Sequence, residues 1–316
     1  MSSPFLFALC LPVLQAPAPA PPSTTASALP APRLDGRRIL EDVKTLASPA
    51  FQGRRPGTEG HRKAQALIEA RLKSLGLPKL GASYRLPYQA PRAGANFAAV
   101  VPGTEKPSAC IFVTAHYDHL GIRQGRLYPG ADDNASGTAA VLALAAHFKA
   151  HPPRHTLVFA FFDDEERGLL GSQAFVAAAP WKPLRPLLDL NADMLSRSGP
   201  GELWISGLRN HTTLRGPLEA LAGEVPVQLR FGHDTPKVPK PDEDWSDESD
   251  QASFNRAGIP GLYVGVEDHA DYHQPTDTFA RIQPDFYLRA CETLLKIVER
   301  VDGLELEDLL QRGRVP

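Results

Sequence analysis

Cysteine and methionine are scarce, with three and two copies in 316 residues, and neither sign of charge dominates: 34 basic residues stand against 36 acidic ones. Each shortage excludes something. Three cysteines (Cys10, Cys110 and Cys291) make neither a zinc ribbon nor a disulfide framework, so Cys110 and Cys291 read most simply as buried free thiols. A formal net charge of -2 lacks the basic excess of a phosphate-tracking surface, and nucleic acid is not an expected partner. The apolar stretch PFLFALCLPVL near the N-terminus is too short to span a bilayer. Beyond Arg33 there is no second low-complexity linker and no repeat at a fixed period.

What is present suits a globular protein, since 42% hydrophobic content is enough for a sizeable core. Residues 1–32 stand apart. Their apolar stretch, followed by QAPAPAPPSTTASALPAP, reads as a signal-like segment and a Pro/Ala-rich linker, although no Lys or Arg precedes the apolar run. The expected location is therefore secreted or periplasmic. Residues 33–316 are expected to form one domain.

Two amphipathic helices open that domain. Ile39, Leu40, Val43 and Leu46 share one face, and Ala64, Leu67, Ile68, Leu72 and Leu75 share another before a stop at Gly76. Near the other end Tyr287, Cys291, Leu294, Val298 and Val301 form the stripe of a core-covering helix. Between them lie short apolar runs at 109–115, 156–162, 184–192 and 259–266. Continuous runs suggest strands buried on both faces, and helical patterns separate several of them. The expected fold is α/β: a three-layer α/β/α sandwich with a central, mostly parallel mixed sheet. Ligands in such sheets gather beyond the carboxyl ends of the strands.

Those ends carry the chemistry. The four runs lead into HYDHLG, DDEE, DML and EDHADYHQPTDT, and the loop PGADDNASG at 129–137 adds more carboxylates. Four acidic residues in a row, Asp163 to Glu166, repel one another and lose hydration directly after a buried segment. A cation removes the conflict. Imidazole nitrogen and carboxylate oxygen suit Zn²⁺ or a similar divalent ion, and a donor set without cysteine argues against a purely structural zinc. Two such ions sharing a carboxylate and a water would suit hydrolysis of an amide or ester.

At these residues the sequence resembles peptidase family M28, the co-catalytic di-zinc aminopeptidases. The likeness rests on AHYDHLG, PGADDNASGTAAVLALA, FFDDEERGLLGS, DM, SDQASFNRAGIP and YHQPTDT, and it extends over most of 38–300. It implies a zinc-exopeptidase (phosphorylase/hydrolase-like) fold, two Zn²⁺ or other divalent ions, and peptide substrates with a free N-terminus. Its implied metal ligands are His116, Asp133, Glu166, Asp193 and His273, with Asp133 bridging. Glu165 takes the place of the general base, and Tyr272 that of a phenol beside the developing oxyanion. Asp118, two residues from His116 in an extended segment, points to the same side and is expected to hold its imidazole. The likeness further implies a cis peptide at Asp133–Asn134.

Other readings of the same residues compete. Taken alone, DDEE is a solvated helix start, ADDNASG a turn with a helix cap, and Tyr272 a packing residue. His119, His233 and His269 are expected to be solvated or simply hydrogen-bonded. The acidic stretch 241–250 reads as a solvated loop or, alternatively, a cleft rim that attracts an ammonium group, and Trp245 within it is a possible subsite wall. Gln251 stands where many relatives carry His. The competing functions are a glutaminyl cyclase-like single-zinc acyl transferase and a catalytically silent binding module.

Overall fold

The computed structural model describes residues 31–89, 91–235, 244–306 and Leu310. The signal-like segment and linker up to residue 30, and residues 241–243 of the acidic stretch, lie outside the described residues. The elements below belong to one unit, residues 32–316. In chain order its strands are β1 (Arg85–Tyr88), β2 (Gly94–Val101), β3 (Lys106–His116), β4 (Gly121–Arg123), β5 (Arg126–Tyr128), β6 (His155–Phe162), β7 (Arg185–Asp193), β8 (Glu202–Ser206), β9 (Gln228–Phe231) and β10 (Gly261–Gly265). Its helices are α1 (Gly36–Leu46), α2 (Glu59–Leu75), α3 (Gly137–Ala150), α4 (Leu170–Ala178), α5 (Thr212–Glu219), α6 (Gln251–Arg256) and α7 (Pro284–Asp302).

The three expected helices form where their apolar spacing places them. Asp35 caps α1 by accepting a bond from the Arg38 amide, Thr58 caps α2 through the His61 amide, and Gly76 ends α2 in the left-handed region. All five stripe residues of α7 are buried. Full burial of a Leu or Val side chain contributes about 1.5–3 kcal/mol each, so this helix is held by its apolar face.

Eight strands form one mixed sheet in the order β1-β2-β6-β3-β7-β10-β8-β9. The central neighbours β6, β3, β7 and β10 are parallel, as their continuous apolar runs suggested. Antiparallel pairings join β2 to β6 and β8 to β10 on the flanks. Successive residues of a strand face opposite sides, and the core divides accordingly. Ile111 and Val113 of β3 pack with α1, α2, α3 and α7, whereas Cys110 and Phe112 pack on the other face with Phe175 of α4, Trp181 and Phe254 of α6. Helices therefore cover both faces, completing three layers. Among the described residues no helix is long and apolar enough to cross a membrane.

Candidate metal centre

Because β6, β3, β7 and β10 run parallel and in register, their carboxyl ends lie side by side. His116 is opposite Phe162, and Asp193 is opposite Gly265. Each strand therefore releases its polar residues at the same edge. The turn Ala131–Ser136, just before α3, brings Asp133 to that edge, and its Asp133–Asn134 peptide is cis.

Asp133 is the centre of the arrangement. Its Oδ1 lies 3.3 Å from His116 Nε2, while its Oδ2 lies 3.1 Å from His273 Nε2 and 3.5 Å from His119 Nδ1. The two oxygens thus face two different sets of donors. On the Oδ1 side, Asp193 Oδ1 is 3.3 Å from His116 Nε2, and Glu165 joins His116 and Asp193 in a group whose ligand atoms lie within 4.8 Å of one another. On the Oδ2 side, Glu166 reaches His119 Nδ1 at 2.6 Å through Oε1 and His273 Nε2 at 3.3 Å through Oε2. An open cleft of about 480 Å³ lies over both sets, lined by Tyr272, Trp245, Tyr263, Met194 and Leu169 among others.

Buried hydrogen bonds behind these donors hold them in place. Arg54 is fully buried, and its guanidinium donates to the carbonyls of Tyr117 (2.9 Å), Leu46 (2.9 Å), Pro129 (2.6 Å) and Gly130 (2.8 Å), with a longer contact to that of Asp133 (3.4 Å). Burial pulls it down to about 10, so it remains charged at neutral pH and offsets the carboxylates in front of it. Asp277 accepts from the amides of Asp132 (2.9 Å) and Asp133 (3.1 Å). Asn134 donates to the Ala192 carbonyl and accepts from the Gly137 amide, tying the turn to β7 and to α3. Ser249 donates to Asp193 Oδ2 at 2.7 Å.

The proposed ligands His116, Asp133, Glu166, Asp193 and His273 are thus all brought together, and Glu165 sits beside them. Asp118 accepts from the Glu165 amide at 3.0 Å, while its Oδ1 stands 3.7 Å from His116 Nδ1, beyond hydrogen-bond length. It touches the His116 ring and steadies the backbone at Glu165. Tyr272 stacks on the His273 ring at 4.0 Å and lines the cleft. His269 and His233 are engaged as expected, with Asp132 and Glu267 respectively. His119 departs from expectation: it is fully buried, and both its nitrogens lack a hydrogen-bond partner. In place of a merely solvated loop, Trp245, Asp247 and Glu248 line the cleft. Gln251 is buried and ties that loop to the sheet, donating to the Trp245 carbonyl and accepting from Asn191. Arg54 was not singled out by sequence pattern; a lone Arg in GRRPGT gives no sign of burial.

The electrostatics are those of a site built for cations. Burial holds the Glu165 carboxyl well above its ordinary range; Asp250, Asp193 and Glu166 add to this against the pull of His116. Burial also works to raise Asp133, but His119, His116 and His273 outweigh it and hold that carboxyl well below its usual value. Burial lowers His116, yet the Asp193 and Glu165 carboxylates lift it well above its ordinary value. Imidazoles and carboxylates face one another with few proper hydrogen bonds: His116 Nδ1, both nitrogens of His119, Glu166 Oε1 and Asp118 Oδ2 have no partner. Buried polar atoms are seldom left so. A nitrogen-and-oxygen donor set with orphaned atoms aimed inward fits first-row divalent cations.

A three-layer α/β fold with a carboxylate-bridged histidine site at its strand ends defines a class of metal-site proteins. Residues 96–298 match the sequence profile described as Peptidase family M28, and the chain belongs to that family. The aminopeptidase YwaD of Bacillus subtilis is 28% identical over 193 residues, covering 58% of this chain and 39% of that protein. Two further curated relatives are matched over 38% and 56% of their lengths, so the chain spans well under two thirds of the curated relatives it matches. The structure of BSAP, a zinc aminopeptidase from Bacillus subtilis, superposes with a TM-score of 0.68 at 16% identity, covering 91% of this chain and all of that one. Glutaminyl cyclase from Porphyromonas gingivalis superposes with a TM-score of 0.67 at 16% identity, over 85% and 99% of the two chains. At these identities the likeness to solved structures establishes the fold.

Proposed function

We propose that the protein is a zinc-dependent aminopeptidase that hydrolyses the N-terminal peptide bond of peptides. Residues 33–316 act as one catalytic domain, and residues 1–32 as an export segment and linker of a secreted or periplasmic protein. The carrying observation is the division of Asp133, whose two oxygens face His116 on one side and His273 on the other. One carboxylate between two donor sets suits two cations.

His116, Asp133 and Asp193 would hold one zinc ion and Asp133, Glu166 and His273 the other, and the pair would supply Lewis acidity toward a carbonyl and a water of lowered pKa. The chain's own groups do the rest. Glu165, beside His116 and Asp193, takes a proton from the attacking water and later delivers it to the leaving amine. The Tyr272 hydroxyl donates toward the oxyanion as it develops. Asp118 holds the Glu165 backbone in place. The free ammonium of the substrate is received by carboxylates of the cleft, with Asp247, Glu248 and Asp268 at its rim.

Glutaminyl cyclases share the fold. The deciding experiment measures metal content together with turnover of aminoacyl p-nitroanilides and N-terminal Gln peptides, before and after chelation. Two equivalents of zinc with chelator-sensitive release of N-terminal residues is the expected result. One equivalent with cyclisation of N-terminal Gln would replace this reading.

A further inference from the structure

The ring of five ligands leaves His119 unexplained. It is fully buried behind the Oδ2 side of Asp133, with its ring against Gly130, where an added Cβ would lie 2.5 Å from Cγ and Cδ2. Gly130 also has a φ of +60°, so both conformation and space call for glycine there. The chain has kept room for this imidazole.

The contacts of its Nδ1 are not those of a hydrogen bond. Nδ1 is 2.6 Å from Glu166 Oε1 and 3.5 Å from Asp133 Oδ2, yet both Nδ1 and Oε1 remain without a hydrogen-bond partner because the direction of approach is wrong. Atoms that approach closely without an N–H between them point toward a shared third centre. Around a tetrahedral zinc with bonds of about 2.0–2.2 Å, donor atoms stand about 3.3 Å apart. His119 Nδ1, Glu166, Asp133 Oδ2 and His273 Nε2 show contacts of 2.6, 3.5, 3.1 and 3.3 Å. His119, Asp133 and Glu166 offer ligand atoms within 4.8 Å of one another, and His273 meets the same two carboxylates.

We infer that His119 is a fourth protein ligand of the cation on the Oδ2 side of Asp133. The two positions are then unequal. Two imidazoles, His119 and His273, stand with Glu166 and Asp133 on that side, whereas one, His116, stands with Asp193, Glu165 and the second oxygen of Asp133 on the other. The inference rests on the two-cation reading above.

The test uses the full chain, stripped by chelation and titrated with Zn²⁺ against a chromophoric chelator. Wild type should bind in two steps of unequal affinity. His119→Ala should weaken the tighter step by more than about 100-fold, beyond the 10- to 100-fold lost with an outer hydrogen-bond partner, and leave the other step nearly unchanged. His119→Gln keeps an N–H donor for Glu166 without an imidazole, so it should fail to restore the tight step. Restoration by His119→Gln, or an unchanged tight step in His119→Ala, overturns the inference. X-ray absorption on wild type loaded with one equivalent of Zn²⁺ decides the matter even if the variants do not fold: two imidazoles at the ion support it, and one overturns it. Wild type that binds no zinc at all would instead remove the two-cation reading.

Discussion

Asp132 and Asp133 are neighbours in sequence and both buried, yet they live in different environments. Asp132 is satisfied. Its Oδ1 accepts from the Ser196 amide and hydroxyl at 2.6 and 2.7 Å, and its Oδ2 meets His269 at 2.8 Å. Asp133 meets three imidazoles at 3.1–3.5 Å. The same split divides the run at 163–166. Asp163 is bonded to His61 and to the Ala95 amide, and Asp164 is paired with Arg167, whereas Glu165 and Glu166 turn into the cleft. Half of each acidic cluster builds a frame, and half is left for chemistry. What separates them is the supply of hydrogen-bond donors around each carboxylate.

The largest expected effects come from the unsatisfied half. Asp133→Asn should abolish binding of both zinc ions and lower kcat/KM by more than about 10⁴-fold, the upper end of what a single general base contributes. Glu165→Gln should keep both ions and lower kcat by about 10²- to 10⁴-fold. Metal analysis beside the kinetics separates the two. Equal metal loss in both variants would break the distinction between ligand and base.

The satisfied half should fail differently. Arg54→Met removes a buried cation that serves five carbonyls, and loss of one partner from a buried charged network costs about 3–5 kcal/mol. The urea midpoint of the metal-free protein should fall accordingly. A stability unchanged to within about 1 kcal/mol would show that Arg54 is not part of the frame.

Much of this was legible beforehand, for identifiable reasons. The central strands announce themselves because burial on both faces makes their apolar runs continuous, as in TLVFAFF. The flanking β2, GANFAAVV, is seven-eighths buried but rich in alanine and glycine, and β8 and β9 are short, so their sequences carry little strand signal. The five residues proposed as ligands, which the fold gathers at the strand ends, were legible through the family's motifs. His119 was not, because its burial depends on a turn that begins twelve residues further on and on the missing side chain of Gly130. Arg54 was not, because its partners are backbone carbonyls, which leave no mark in a sequence.

Asp250 sharpens the comparison through pH. It is buried with neither oxygen in a well-aligned hydrogen bond, and burial pushes its carboxyl up to about 7, with Asp118 and Asp193 adding to that against His116 and the nearby Ser172 hydroxyl. A raised folded-state pKa means that its contribution to stability is present below about 4 and is lost as pH rises through about 7. Asp250→Asn should therefore stabilise the metal-free protein at pH 8 by on the order of 4 kcal/mol and have little effect at pH 4. Urea denaturation at the two pH values measures the difference. A gain confined to pH 4 would reverse the assignment and place Asp250 with the satisfied half.

The smallest expected effect lies at the rim, where neither half of the acidic set reaches. Trp245 stacks on His233 at 3.7 Å, meets Tyr263 edge-on at 5.4 Å, and has its backbone held by His233 and Gln251. Its ring forms a fixed wall of the cleft and is not a reacting group. A wall stabilises the bound substrate and the transition state alike, which changes KM while sparing kcat. Trp245→Ala should raise KM for substrates with a large apolar N-terminal residue by about 10-fold, in line with aromatic contacts of roughly 0.5–1.5 kcal/mol, and leave kcat within about 2-fold. Alanyl substrates, which do not reach the wall, should respond less. If kcat fell instead while KM held, the Trp245 loop would be acting on the catalytic groups through Ser249, whose hydroxyl bonds Asp193, and the rim would belong to the frame.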